Sequence, residues 1–278
     1  MGLRFSRLVA PLLLGAAVLT GCQAPGPSAT SHSVAAPASA EASQVLAPSG
    51  VLRVAVYPGS PTSLVRRPGS DEARGLSVEI GRELALRLGV PVQLVEFERV
   101  EQVVEALRTA RADMTITNAT ASRAALVDIT EPLVALELGY LVLPGSPVAS
   151  LADVDRSGIR VGVSQGSSSQ AALGRTFVHA SLVPAPSLKA ATDMLKERRI
   201  DAFATNKGIL FQLADGLPGA RVLEGRWGTE LLAIAVPKGR EGGKPYLDRF
   251  AASVRSQGLV QRAAERAGLR GLAEPQAR

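Results

Sequence analysis

The sequence predicts an α/β protein built on open, largely parallel sheets, and three observations carry that reading. From residue 51 onward, short apolar runs of strand length alternate with amphipathic stretches whose apolar residues recur at helical spacing. The alternation lasts about 220 residues, enough for one large or two modest domains. The chain holds a single cysteine, Cys22, so no internal disulfide substitutes for a hydrophobic core.

Cys22 also sets the start of the mature protein. It ends an apolar run that begins behind Arg4 and Arg7, and it follows Leu19, Thr20 and Gly21. A positive start, a short apolar centre and small residues before a cleavage point make a secretory signal. The run 8–19 is shorter than the roughly 20 apolar residues a spanning helix needs. The Leu-Thr-Gly-Cys ending resembles the lipobox of bacterial lipoproteins. That resemblance implies removal of residues 1–21, acylation (palmitate) of Cys22, and a periplasmic or extracytoplasmic protein held to the membrane by lipid alone. Residues 22–49, dominated by Ala, Pro, Ser, Gly, Gln and Thr, bury too little apolar surface to order themselves and predict a flexible tether.

The elements follow in order. Residues 51–56 read as a buried strand. Leu76, Ile80, Leu84 and Leu88 share one helical face over 75–89, with Glu79, Arg82, Glu83 and Arg87 outside. Residues 92–97 form a strand, and Val103, Val104 and Leu107 mark a helix. A strand at 113–117, a helical turn at 122–127 and a long strand at 132–143 come next. A second series begins with a strand at 159–163 and the turn-rich 164–169, which leads into a helix. It continues with a helix at 187–198, a strand at 201–205, a helix at 207–213 and a strand at 231–236. Helices at 246–256 and 259–267 end the chain, and no internal repeat is visible at this level.

Charge and composition exclude some function classes. Removal of Arg4 and Arg7 with the signal leaves 29 cations against 25 acids, a net charge of +4. These charges are scattered and aromatics are only 4% of the chain, unlike the clustered cations and stacking rings of a nucleic-acid surface. The two histidines are His32, in the tether, and His179, with no carboxylate near it in sequence. No Gly-x-Ser-x-Gly elbow, phosphate-loop lysine or paired His/Cys spacing occurs. The expectation is a protein without catalytic residues, cofactor or metal.

Polar groups instead gather at strand ends, where open α/β sheets hold ligands. They lie in 57–62, which includes Ser60; in 115–123, which includes Thr117, Asn118, Thr120 and Arg123; in 165–168, with Ser167 and Ser168; and at Thr205 and Asn206. Hydroxyls, an amide, one fixed cation and free N–H groups at a helix start are the parts of a carboxylate site.

At these residues the chain resembles the amino-acid-type (family 3) solute-binding proteins of bacterial ABC importers, over about residues 50–270. Gly75-Leu-Ser-Val-Glu-Ile is similar to that family's Gly-Phe-Asp-Val-Asp-Leu helix. Thr120-Ala-Ser-Arg123, followed by Val127-Asp-Ile-Thr-Glu-Pro132, is similar to Thr-x-x-Arg…Val-Asp-Phe-Ser-x-Pro. Val161-Gly-Val-Ser-Gln-Gly-Ser-Ser168 and Ile200-Asp-Ala-Phe-Ala-Thr-Asn206 match two further motifs in the right order.

The resemblance implies a two-lobe periplasmic-binding-protein-like (type II) fold that traps a solute by hinge closure. Lobe 1 would comprise 50–143 and 231–278, and lobe 2 would comprise 144–230. It implies that Arg123 clamps a carboxylate, that Ser167 and Ser168 donate to the same group, and that Thr117, Asn118, Thr120, Ser60 and Asn206 contact the solute. Two departures stand out. Asn206 occupies the position of an aspartate that pairs with a ligand ammonium, and the loop 58–64 carries no aromatic ring. Both predict a small polar or anionic solute held without a counter-charge for an amine. The expected partners are that solute, an ABC permease and the membrane through its lipid. Two alternatives are a secreted enzyme on the same fold, of the cyclohexadienyl dehydratase type, and an accessory protein of a periplasmic oxidoreductase. The acidic position common in the dehydratases is Gln170 here.

Overall fold

Local signals account for most element boundaries in the computed structural model, which describes residues 1–2, 38–67 and 69–273. The signal, Cys22 and the tether up to residue 37 lie outside the described residues. The tether ends earlier than its composition suggested, because Ala40–Leu46 is a helix, α1, capped by Ser39, whose hydroxyl accepts from the Ala42 amide. Ala42 and Leu46 are buried, the Ser43 hydroxyl donates to the Leu88 carbonyl (2.8 Å), and Arg240 donates to that of Leu46 (2.7 Å). Alanine and leucine favour helix, and tertiary contacts supply what a seven-residue helix lacks alone.

Strand β1 (Leu52–Val56) is followed by a small hairpin of β2 (Val65–Arg66) and β3 (Ala73–Arg74) and by helix α2 (Leu76–Leu88). Then come β4 (Val92–Glu96), which pairs in parallel with β1, α3 (Val100–Arg108), β5 (Thr115–Asn118), the short α4 (Ala121–Ala124), β6 (Asp128–Ile129) and the long β7 (Val134–Val142). The second series is β8 (Arg160–Ser164), α5 (Ser168–Thr176), β9 (Ser181–Ala185), α6 (Leu188–Lys196), β10 (Ala202–Asn206), α7 (Lys207–Asp215) and β11 (Arg221–Val222). A second long strand, β12 (Gly228–Val236), leads to α8 (Lys244–Ser256) and α9 (Leu259–Ala267).

The large sheet runs β5-β12-β7-β10-β8-β9. Parallel pairing occurs where β–α alternation demands it, in β8–β9, β8–β10 and β1–β4. The pairs through β7 and β12 are antiparallel, which makes this sheet mixed. The N-terminal halves of these two strands pair with each other, Leu136 opposite Glu230 and Leu138 opposite Gly228. Their C-terminal halves then part: β12 continues along β5 and β7 continues along β10. The apolar core divides in the same way. Residues 46–136 and 232–269 build one pair of clusters, and residues 140–223 build the other. The fold therefore has two lobes joined by two crossing strands.

A short repeat, not visible at the level of whole elements, relates the lobes. Leu107–Asn118 and Leu195–Asn206 share a pattern in which leucine is followed six residues later by aspartate and ten and eleven residues later by Thr-Asn. Both segments contain a non-glycine residue at φ 53°, Ala110 in one and Arg198 in the other. Both aspartates grip an arginine on a neighbouring strand. Asp113 accepts from the Arg53 backbone, Nε and Nη2 at 2.8–2.9 Å, and Asp201 accepts from the same three groups of Arg160 at 2.8–3.1 Å. Each clamp fixes a strand whose far end carries Thr-Asn, so Asn118 and Asn206 become equivalent groups on opposite lobes.

Candidate functional site

The cavity where these strand ends meet is lined by Tyr57, Thr117, Arg123, Ser168, Asn206 and Glu230, among others, and measures about 40 Å³. Each wall has a local cause. Gly75 has φ 144°, and a side chain there would strike the Ser63 carbonyl oxygen. That close approach lets the Leu76 and Ser77 amides donate to the carbonyls of Pro61 (2.9 Å) and Thr62 (3.1 Å), so the start of α2 holds the loop after β1. The loop is tied again by the Ser63 hydroxyl, which accepts from the Tyr57 amide at 2.8 Å. Ser60 and Thr62 share a hydroxyl hydrogen bond of 2.8 Å. Ser60 is buried and does not line the cavity, whereas its hydrogen-bonded neighbour Thr62 does. Tyr57 supplies the ring that the loop 58–64 lacks. Burial pushes its phenol up, with the Ser60 and Thr62 hydroxyls opposing.

On the same side, Thr120 caps α4 and its hydroxyl accepts from the Arg123 amide at 3.3 Å. Thr120 does not line this cavity, and what the structure shows of it is the capping role. Arg123 is only 8% exposed, and its guanidinium donates to the Thr117 hydroxyl. Burial pushes Arg123 down from the usual arginine value, and the charge of Glu230 opposes that. Asn118 binds both neighbours: its Oδ1 accepts from the Leu231 amide (3.1 Å) and its Nδ2 donates to the Ser168 hydroxyl (3.1 Å) across the cleft.

The opposite wall is the start of α5. Ser167 caps it by accepting from the Gln170 amide at 3.1 Å, which leaves the first-turn N–H groups beside Ser168 aimed at the cleft. Gln170 turns back, its side chain accepting from the Gly166 amide at 2.7 Å. Asn206 caps α7, its Oδ1 accepting from the Ile209 amide at 3.0 Å. The oxygen being so engaged, Asn206 offers the cavity its amide nitrogen, a donor. His179 lies elsewhere, its backbone amide donating to Asp155 at 2.8 Å on an exposed turn.

Sequence reading missed Glu230. It sits on β12 between exposed Thr229 and exposed Leu231, faces inward and is 7% exposed. Burial pushes its carboxyl up to about 7, with Arg123 and the Asn206 amide opposing. The sequence reading found no acid in this site; the structure places one there, on the crossing strand β12. Arg123 and Glu230 both line the cavity, yet neither has an ion-pair partner among the described residues. A fixed cation and a buried acid face the same small space.

Comparisons with known proteins agree with this architecture. No curated protein matches the chain. A solute receptor for L-cysteine of Neisseria gonorrhoeae superposes with a TM-score of 0.73 at 24% identity, covering 84% of this chain and 99% of that one. An amino acid ABC transporter substrate-binding protein from Streptococcus pneumoniae, bound to L-arginine, gives 0.72 at 19%, covering 83% and 99%. An ancestral amino acid-binding protein, a precursor of cyclohexadienyl dehydratase, gives 0.69 at 20%, covering 80% and 97%. Identities this low carry the fold alone. The model of the bacterial extracellular solute-binding proteins, family 3, matches residues 52–268, and the chain belongs to that family.

Proposed function

We propose that the chain is a lipid-anchored, extracytoplasmic receptor that hands a small carboxylate-bearing solute to an ABC permease and does no chemistry on it. Arg123 carries the reading: a buried guanidinium at the cavity wall, without a carboxylate partner among the described residues, is a charge kept for a ligand. The α5 start, with Ser167 and Ser168, faces it and completes a cradle of donors for one anion. We take lobe 1 as 50–143 with 231–278 and lobe 2 as 144–230, and Cys22 as the lipid site. A melting screen of the mature chain carrying Cys22→Ser, against amino acids, organic acids and polyols, tests this. A ligand at a hundredfold excess over Kd stabilises by about 2.7 kcal/mol, a shift of several degrees at this size. Loss of that shift in Arg123→Ala is expected, and a shift that survives the substitution refutes the role of Arg123.

One observation favours a second reading. A buried carboxyl near neutrality in a cleft is suited to general acid catalysis, so Glu230 fits an enzyme of the dehydratase type. Turnover of prephenate or arogenate by the purified protein, lost in Glu230→Gln, would establish it. Gln170 argues against it, being an uncharged residue spent on the Gly166 amide.

A further inference from the structure

We propose that lobe 2 carries a second binding site, remote from the cleft, for an oxyanion of the phosphate type. The site is a cavity of about 370 Å³ beside the first residues of β8 and β10, whose other ends, Ser164 and Asn206, reach the cleft. Three cations, Arg160, Lys196 and Arg198, line it with one acid, Asp201, and Leu143, Pro147 and Ile200 form an apolar wall. None of these residues lines the interlobe cavity, so the inference stands apart from the receptor reading. The internal repeat shows the same place in lobe 1 in a covered form. Gly239 and Gly145 are equivalent: each follows a crossing strand at the same offset from the residue facing its asparagine, Leu232 for Asn118 and Leu138 for Asn206, with φ 82° and 79°. In lobe 1 the next residue is Arg240, which donates to Asp113 and to the Leu46 carbonyl, both at 2.7 Å. Arg240 and the end of α1 thereby close the place over fully buried Asp113. In lobe 2 the next residue is Ser146, whose short side chain donates to the Asp201 carbonyl at 2.7 Å and leaves the cavity open.

The charges differ between the lobes in the direction that favours an anion. Lys196 corresponds to Arg108, which is paired with Glu105 at 2.6 Å. The counterpart of Glu105 is Asp193, but Asp193 pairs with Lys189 at 2.7 Å, and Lys196 has no ion-pair partner among the described residues. Arg198 corresponds to Ala110, both at φ 53°. Its guanidinium is laid against Gly145, where a side chain would meet Nη2 at 3.4 Å. The acids nearest to it in sequence are taken, Asp201 by Arg160 (2.8 Å) and Glu197 by Arg199 (2.7 Å). Two cations without counter-ions therefore share one cavity. A tetrahedral oxyanion has acceptors for the planar fork of Arg198 and the point charge of Lys196 together, and the apolar wall suits the organic part of a phosphoester. Either a soluble phosphoester or the headgroup of an anionic lipid carries that group.

The experiment is an amide NMR titration of the mature chain carrying Cys22→Ser with inorganic phosphate, replacing chloride at fixed ionic strength. The expected result is saturable shifts at residues 143–147 and 196–201, with Kd on the order of 1–10 mM. Lys196→Ala combined with Arg198→Ala should weaken this binding by about 10-fold or more, whereas Arg123→Ala should leave it unchanged. Both cations are exposed, so the double variant should keep the wild-type melting temperature. Arg198→Ala alone, which gives lobe 2 the alanine of lobe 1, should weaken binding several-fold and serves if the double variant does not fold. Co-sedimentation with phosphatidylglycerol vesicles separates the sources. Vesicle binding that the double variant loses supports the site with a lipid headgroup as occupant, and phosphate binding without vesicle binding supports it with a soluble phosphoester. Shifts that do not saturate, or saturable shifts that survive removal of the cations, overturn the site whatever the vesicles show.

Discussion

Glu230 gives the sharpest prediction for the ligand-free protein. Its carboxyl lies at 4.5 in a solvated chain and at about 7 in the fold, where burial is the dominant cause. At 1.36 kcal/mol for each tenfold change in proton affinity, the folded state holds that proton more tightly by about 3 kcal/mol. The sign follows from linkage. Below 4.5 both states are protonated and the contribution is fully present; it is lost as the pH rises through 7, when the fold must bury an ionised carboxylate. Glu230→Gln removes the titration and keeps the shape. Urea unfolding of wild type and variant from pH 4 to pH 8 isolates the effect, because every other titrating group cancels in the difference. The variant should match the wild type near pH 4 and exceed it by about 3 kcal/mol at pH 8, on the order of 10 °C in Tm. A difference that stays flat across that range, or one in which the wild type gains with pH, refutes a neutral buried Glu230 in the empty cleft.

Other perturbations probe other parts of the argument. Arg123→Ala should weaken carboxylate-solute binding by about 100-fold or more while the protein stays folded, as calorimetry and circular dichroism would show. Arg240→Ala strips one of two arginines from fully buried Asp113 and should cost about 3–5 kcal/mol in urea unfolding, with freer proteolysis at α1, whose Leu46 carbonyl it also holds. Burial alone pushes Asp113 up, but the bonds from Arg53 and Arg240 outweigh it and hold it below the usual aspartate value, so this contribution should persist at neutral pH and be lost only as the pH falls through the acid range. Gly75→Ala places a side chain at φ 144° against the Ser63 carbonyl and should cost about 2 kcal/mol or more, with weaker solute binding because Tyr57 and Thr62 shift. Ser167→Ala removes the α5 cap and should cost about 1 kcal/mol, read from the same urea curves.

Most of the fold was legible because the lobes are built from strongly periodic elements. The predicted strand at 51–56 and helix at 75–89 differ from β1 and α2 by one residue at each shifted end. What escaped notice had weak or misleading local signals. The α1 helix is hidden in Ala- and Ser-rich sequence that reads as a tether, and only its burial against α2 and the 241–243 turn distinguishes it. Arg123 and Ser168 were found through motif spacing, and they do meet in the cavity. Glu230 was missed because the apolar run 231–236 suggested a strand starting one residue too late. Leu231, the first residue of that run, is 45% exposed, while its polar predecessor faces in. Extending the period-2 alternation backward from Leu232 places Glu230 on the buried face, and that signal was available. Tyr57, one residue before the ring-less loop 58–64, belongs to the end of the preceding strand in sequence and yet lines the cavity.

The placement of charge across the cleft also argues for an order of events. Thr117, Asn118 and Arg123 are tied into one unit with β12: β5 pairs with it at Leu232–Ala235, Asn118 accepts from the Leu231 amide, and Arg123 donates to Thr117, whereas Glu230 lies just before that pairing, beside Asn206. The facing lobe contributes neutral groups, namely the Ser167 and Ser168 hydroxyls, the start of α5 and the Asn206 amide. A solute held as proposed can therefore settle its carboxylate on Arg123, on the β5 side, before the second lobe arrives. Closure then adds hydrogen bonds and the helix dipole rather than a counter-ion, and it is sealed by contacts such as Asn118 to Ser168. On this view Asn118→Ala should leave the association rate nearly unchanged and raise the dissociation rate, because the contact it removes forms only after the carboxylate is seated. Stopped-flow fluorescence of Trp227, which packs near Tyr140 with ring centroids 6.2 Å apart on the strand that crosses between lobes, gives both rates. A slowed association with unchanged dissociation would instead mean that the lobes close before the solute is held.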